Sequence, residues 1–207
     1  MLQRTLPAEF IAPCLPTKTD KLPSGSQWLH EIKHDGFRVI ARKNGAQVRL
    51  YSRPGNDLTH RFPLIVETLA RLRSRSCIID GEAVACDDNG IASFNLIRYR
   101  RHDDSTFLYA FDLIELNGDD LRRDPLEVRK AALASIVAKA QAGIRFSEHM
   151  EGDGEAVPRP CFGQPRQGPP ARPAIPNHER GNHKSVSLAS KALAPTGRTR
   201  PTSQAAQ

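Results

Sequence analysis

The chain has 207 residues, with 30 Lys and Arg against 23 Asp and Glu, giving a formal net charge of +7. That length fits one domain of ordinary size, alone or with a tail. No apolar run reaches the roughly 18 residues of a membrane span, and the N-terminal MLQRTLPAEF lacks the apolar stretch of a signal peptide, so a cytoplasmic protein is expected.

In chain order, residues 28–43 (WLHEIKHDGFRVIARK) alternate apolar and polar on both sides of Asp35-Gly36, a strand–turn–strand pattern. Residues 46–51 follow Asn44-Gly45 as another strand. The period then changes: Phe62, Ile65, Val66, Leu69 and Leu72 share one helical face over 60–73, with Thr59 expected as N-cap. Residues 77–86 read as a strand, and 107–116 (FLYAFDLIEL) as a buried central one, ended by Asn117-Gly118. Asp124, Pro125 and Glu127 form a capping-box arrangement for a helix running to about Ala142, where Gly143 stops it. A short strand over 144–149 follows. The order is not a regular βαβ alternation, so the expected class is α+β with mostly antiparallel sheet.

The cysteines, Cys14, Cys77, Cys86 and Cys161, are scattered with no CxxC pair. They give neither a recognisable zinc knuckle nor a disulfide framework. Charge divides the chain sharply. Residues 1–156 hold 22 basic and 22 acidic side chains, whereas 157–207 hold 8 basic residues, one acid (Glu179) and 9 of the 16 prolines. That composition predicts a folded body over 1–156 and a disordered basic tail over 157–207. The net charge therefore says little about what the body binds.

The segment Glu31-Ile-Lys33-His-Asp35-Gly36-Phe-Arg38 carries the most chemistry. It sets a lysine at a strand end before a glycine turn, where a ligand can approach the backbone closely. Arg38, on the return strand, disfavours the ammonium form of a nearby lysine and favours a nucleophilic amine. Asp80 and Glu82 share one strand face at a spacing of two. Phe111 shares a face with Phe107 and Tyr109, where core packing is the plain alternative. His30 and His34 read as surface residues. Arg98, Arg100, Arg101 and His102 form the densest basic cluster of the body, suited to phosphates or simply to solvent.

Lys33-x-Asp35-Gly36-x-Arg38 resembles the first motif of the covalent nucleotidyltransferases, the superfamily of ATP-dependent DNA ligases, RNA ligases and mRNA capping enzymes. Ser52-Arg53-x-Gly55, Asp80-Gly81-Glu82 and Phe111-Asp112-Leu113 with Asn117-Gly118 are similar to the following motifs, in order. The wording EIKHDGFR, IIDGEAV and FDLIELNGDDLRRDPLEVRK looks most like the bacterial ATP-dependent ligases of end-joining repair, over about residues 8–156.

The resemblance implies a covalent nucleotidyltransferase (ATP-grasp-like) fold with flanking helices and an ATP-dependent DNA ligase activity in repair and recombination. Lys33 would attack the α-phosphate of ATP to form lysyl-AMP. Glu31 would read the base edge, and Arg38 and Arg53 would contact the nucleotide. Glu82 would hold the ribose and a Mg²⁺ ion, and Phe111 would stack on the base. It further implies nicked or broken double-stranded DNA as substrate, end-joining repair proteins as partners, and a monomer without membrane association, at the bacterial nucleoid. RNA ligase or capping chemistry and a non-catalytic nucleotide- or nucleic-acid-binding remnant are the other readings.

The family's Glu-Gly-x-(Ile/Val)-x-Lys strand, Lys-x-Lys strand and oligonucleotide-binding barrel have no counterpart here. Glu151-Gly152 only begins the first of these, and the next lysine is Lys184. The expectation is an incomplete domain of impaired activity, with a truncated or frameshifted frame after residue 156 or a natural tail. Missing strands would leave a sheet edge and apolar face exposed.

Overall fold

The computed structural model describes residues 10–14, 23, 25, 28–87, 90, 92–140, 142–151 and 188–192. It contains β1 (Trp28–Ile32), β2 (Phe37–Asn44), β3 (Gln47–Ser52), α1 (Pro63–Ala70), β4 (Ser76–Val84) and α2 (Phe94–Arg98). There follow a 3₁₀ turn (Asp103–Ser105), β5 (Phe107–Leu116), β6 (Asp119–Asp120), α3 (Leu126–Val137), β7 (Ile144–Phe146), β8 (His149–Glu151) and β9 (Leu188–Ala192).

These strands make two sheets. The larger runs β3-β2-β4-β5-β6, with β7 also on β5, and the smaller runs β8-β1-β9. Every pairing is antiparallel except β5 with β7. The α+β, mostly antiparallel expectation is therefore met. The alternation that suggested strands places Val39, Ala41, Leu50, Ile79, Leu108 and Leu113 on one face of the larger sheet. They pack there against Phe62, Ile65 and Leu69 of α1 and Leu133 of α3. Burial of this apolar face is the main stabilising term. The opposite face carries Arg38, Asp80, Glu82 and Asp112.

Two glycines let the strands of the larger sheet approach one another closely. A Cβ at Gly36 would lie 2.1 Å from the carbonyl oxygen of Ala83, and one at Gly81 would lie 2.6 Å from that of Tyr109. Gly36 is thus required by strand packing. Gly81 sits where a β-bulge shifts the β4–β5 register, Asp80 facing Asp112 and Gly81 facing Ala110. The bulge leaves Phe111 as the extra residue.

Several expectations are corrected. Phe62, not Thr59, occupies the N-cap of α1, because Pro63 fixes the helix start; the Thr59 hydroxyl accepts the Leu50 N–H instead, at 3.0 Å. Pro125 stands at the N-cap of α3 with extended ψ rather than at its first turn, and no side chain caps the helix. That helix ends at Val137, five residues early. Gly143 lies where a Cβ would come 2.3 Å from the Leu64 carbonyl oxygen, so it marks a contact with α1. His30 is buried, because β1 is the middle strand of the small sheet. Both edges of β1 are paired, one by β8 and one by β9. The expected disordered tail lies mostly outside the described residues; within it, Leu188–Ala192 form β9. Among the described residues, no helix is long and apolar enough to cross a membrane.

Candidate active site

The site is assembled where the loop after β1 meets the outer face of the larger sheet. Glu31 lies in β1, and Lys33 follows the strand as an exposed side chain. Arg38 opens β2 and pairs across to Glu82, while Ile40 pairs with Asp80. Period two puts Asp80 and Glu82 on one face, as expected, and the β2–β4 pairing adds Arg38 to it. The Arg38 guanidinium donates two hydrogen bonds to Asp80, Nε to Oδ1 at 2.6 Å and Nη2 to Oδ2 at 2.8 Å. It also lies 4.3 Å from the centroid of the Phe111 ring.

Phe111 lies outside the main apolar cluster of the larger sheet, on the side of β5 that faces Arg38. It is nonetheless only 9% exposed, with Arg38 over its ring. A base stacking on that ring face has to displace the guanidinium that Asp80 holds.

Four carboxylates surround this face, and three are committed to cations. Asp80 holds Arg38, Asp112 accepts Nε and Nη2 of Arg129 at 2.9 and 3.1 Å, and Glu31 is ion-paired with Lys130. Glu82 forms no salt bridge among the described residues. Burial pushes its carboxyl up to about 7, against the opposing pull of Arg38 and Lys33 and of the Gly36 N–H. The site thus contains one carboxylate whose charge is under-compensated.

Beside Lys33, the His34 ring stacks on Tyr109 with centroids 3.6 Å apart and planes 4° apart. Burial lowers its pKa to about 4, with Glu31 pulling the other way, so it is neutral at pH 7. His34 is therefore part of the site wall and not the free surface residue expected.

Arg53 is exposed in the turn that closes β3. Gly55 there adopts φ +82°, its N–H donates to the Ser52 carbonyl at 2.7 Å, and the Ser52 hydroxyl accepts the Asn56 N–H at 2.9 Å. Because Ser52 pairs with Val39, this turn lies at the same end of the sheet as the Lys33 loop. Among the described residues, Arg53 forms no ion pair with the other site residues.

Two residues escaped the sequence reading. Arg129 and Lys130 reach the site from α3, and Lys130 is 1% exposed with its ammonium 5.2 Å from the Phe146 ring centroid. The signal was its spacing, four after Leu126 and three before Leu133, on the apolar face of the helix. Among the described residues no group of three or more His, Cys, Asp or Glu could hold a metal ion. Cavities of about 400 and 220 Å³ open under residues 10–14 on the outer face; neither is lined by Lys33, Glu82 or Phe111.

A family model described as the ATP dependent DNA ligase domain matches residues 13–157. The chain belongs to this ligase family. Among curated proteins, it is 34% identical over 149 residues to the multifunctional non-homologous end joining protein LigD of Pseudomonas aeruginosa, covering 70% of this chain and 18% of that one. It is 32% identical to DNA ligase 2 of Thermofilum pendens, covering 69% and 27%.

A solved mycobacterial DNA ligase D complexed with ATP and MES matches with TM-score 0.59 and 34% identity, over 70% of this chain and 48% of that one. The ligase domain of M. tuberculosis LigD matches with TM-score 0.56 and 31% identity, over 64% and 44%. The chain thus spans about a fifth to a quarter of the curated relatives and nearly half of the solved structures. Its resemblance to the adenylation domain of bacterial end-joining ligases is upheld in sequence and in fold.

Proposed function

We propose that this chain carries the nucleophile and nucleotide-facing wall of an ATP-dependent DNA ligase, in which Lys33 becomes adenylated. The observation that carries the reading is the convergence of Arg38, Glu82 and Phe111 on one face of the larger sheet, with Lys33 near enough to act on the Glu82 carboxyl, in a chain of this family. The Lys33 amine, once free of its proton, forms a bond to the α-phosphorus of ATP, and the bond to pyrophosphate breaks. Phosphoryl chemistry of this kind depends on positioning and on charge neutralisation.

Arg38 and Arg53 supply positive charge at the end of the sheet where the triphosphate would lie, and the His34–Tyr109 stack walls the lysine on one side. The donor set fits Mg²⁺, which takes one or two carboxylates and fills its remaining positions with water and phosphate oxygens. Glu82 would be the protein's ligand, since Asp80 and Asp112 already hold arginines. When bound, the ion would supply charge neutralisation at the phosphates. Glu31, tied to Lys130, supports the strand that carries Lys33; reading of the base edge requires it to leave that pair. The later steps are transfer of AMP to a DNA 5′-phosphate and sealing by a 3′-hydroxyl, with nicked or broken duplex DNA at the bacterial nucleoid as substrate.

Isothermal titration with ATP, GTP and NAD⁺ tests this reading. ATP binding that weakens about tenfold or more in Phe111→Ala, with no binding of NAD⁺, is expected for loss of one good stacking contact. Preference for GTP would move the assignment to capping-type chemistry, and absence of any nucleotide binding would overturn it.

A further inference from the structure

The strip Arg98-Tyr99-Arg100-Arg101 lies outside the machinery described above. It begins with the last residue of α2, and all four side chains are exposed; Tyr99, at 64%, is the most exposed large apolar side chain among the described residues. The strip is nevertheless anchored. Ile97, just before it, is fully buried. Arg61 reaches across to donate to the Ile97 carbonyl and holds Asp103 on the far side of the strip at 3.0 Å. Its guanidinium also lies 4.9 Å from the Phe37 ring centroid, and the Phe37 ring meets Phe94 at 5.2 Å. The strip is therefore clamped against Phe37, at the end of the sheet carrying the Lys33 loop and on the face that packs against α1.

Two details point to a ligand rather than to a merely solvated turn. Arg100 adopts φ 58°, a left-handed conformation that costs a non-glycine residue energy and fixes where its side chain leaves the backbone. Arg98 lies 5.8 Å from the Tyr99 ring centroid, so cation and aromatic form one surface. The clamp also neutralises the nearest acid, since Asp103 is paired with Arg61. Asp104 remains as the exposed acid against three exposed arginines.

We propose that Arg98, Tyr99, Arg100 and Arg101 form a docking surface for the sugar–phosphate backbone of duplex DNA, at the end of the sheet that carries the Lys33 loop. Charge complementarity fits a polyanion, and three arginines in four residues match the close spacing of successive phosphates. One aromatic ring suits packing on a sugar better than base-by-base stacking of a single strand, which uses several rings. The proposal rests on the DNA ligase reading and assigns a surface to its substrate.

The test is fluorescence anisotropy of the full chain with a short labelled nicked duplex over a salt series. The triple variant Arg98→Gln, Arg100→Asn, Arg101→Gln keeps a residue suited to positive φ at position 100, and an unchanged melting temperature verifies its fold. It should bind about tenfold or more weakly, and the slope of log K against log salt should become shallower by about 2 to 3, at roughly 0.9 per lost phosphate contact. Tyr99→Ala should weaken binding and leave the slope unchanged. The basic tail contributes equally to every variant and cancels. Unchanged affinity and slope in the triple variant would overturn the proposal. So would tighter binding of single-stranded DNA that Tyr99→Ala abolishes. Lys33→Ala separates the two readings. If it binds duplex normally while the parent chain never adenylates, the surface stands and the catalytic reading falls; normal adenylation with no effect of the triple variant gives the reverse.

Discussion

Lys130→Met is the sharpest test of how the two sheets are joined. Lys130 sits on α3 against the larger sheet, Glu31 sits on β1 in the smaller one, and their side chains are 1% and 4% exposed. Both charges have left water almost completely, so each depends on the other. Removing the ammonium leaves a buried carboxylate without its cation, a change that costs about 3–5 kcal/mol, whereas replacing a buried pair by apolar side chains is often neutral. Lys130→Met should therefore destabilise by about 3–5 kcal/mol, and Glu31→Leu added to it should recover most of that loss. For a folded body of this size the single variant lowers the melting temperature by roughly 6–20 °C. Urea unfolding followed by Trp28 is suited to the measurement, because this single tryptophan lies on β1 with Glu31. A loss below about 1 kcal/mol, or a double variant no more stable than the single one, would refute the reasoning.

Glu82 and His34 give stability opposite dependences on pH. Burial raises the Glu82 carboxyl from 4.5 to about 7, so its stabilisation is full below 4.5 and is lost as pH rises through about 7. Burial lowers His34 from 6.5 to about 4, so its stabilisation is full above 6.5 and is lost as pH falls through about 4. Unfolding curves across this range should show Glu82→Gln abolishing the first loss and His34→Phe the second; parallel curves for parent and variants would contradict both. Gly36→Ala drives a Cβ into the Ala83 carbonyl and should cost about 1–3 kcal/mol or more by overpacking. A melting temperature equal to the parent's would show that the β2–β4 packing is wrong.

Much of this was legible in the sequence because it depends on local pattern. The near-continuous apolar run over 107–116 predicts a buried strand, and β5 has those same bounds. The shared face of Arg38, Asp80 and Glu82 follows from period two and adjacent strands. Helix ends were less legible, because Pro63 and Pro125 set the starts where polar side chains had been expected to do so. Long-range partners were not legible. The Glu31–Lys130 pair spans 99 residues and joins two sheets, and nothing in a lysine's local sequence names its carboxylate. Gly36 and Gly81 were visible as turn and strand glycines, but their reason, a carbonyl oxygen on the next strand, exists only once strands pair. His30 looked exposed because β8 and β9, which flank β1, come from far along the chain.

The central claim, that Lys33 is the adenylated nucleophile, is tested by mass spectrometry of the full chain after prolonged incubation with ATP and Mg²⁺, followed by peptide mapping. The account predicts a slow, partial AMP adduct located on Lys33, reversed by pyrophosphate and absent in Lys33→Ala. An adduct mapped to another residue, or one that persists in Lys33→Ala, would contradict it, as would a chain that never gains AMP at any ATP concentration.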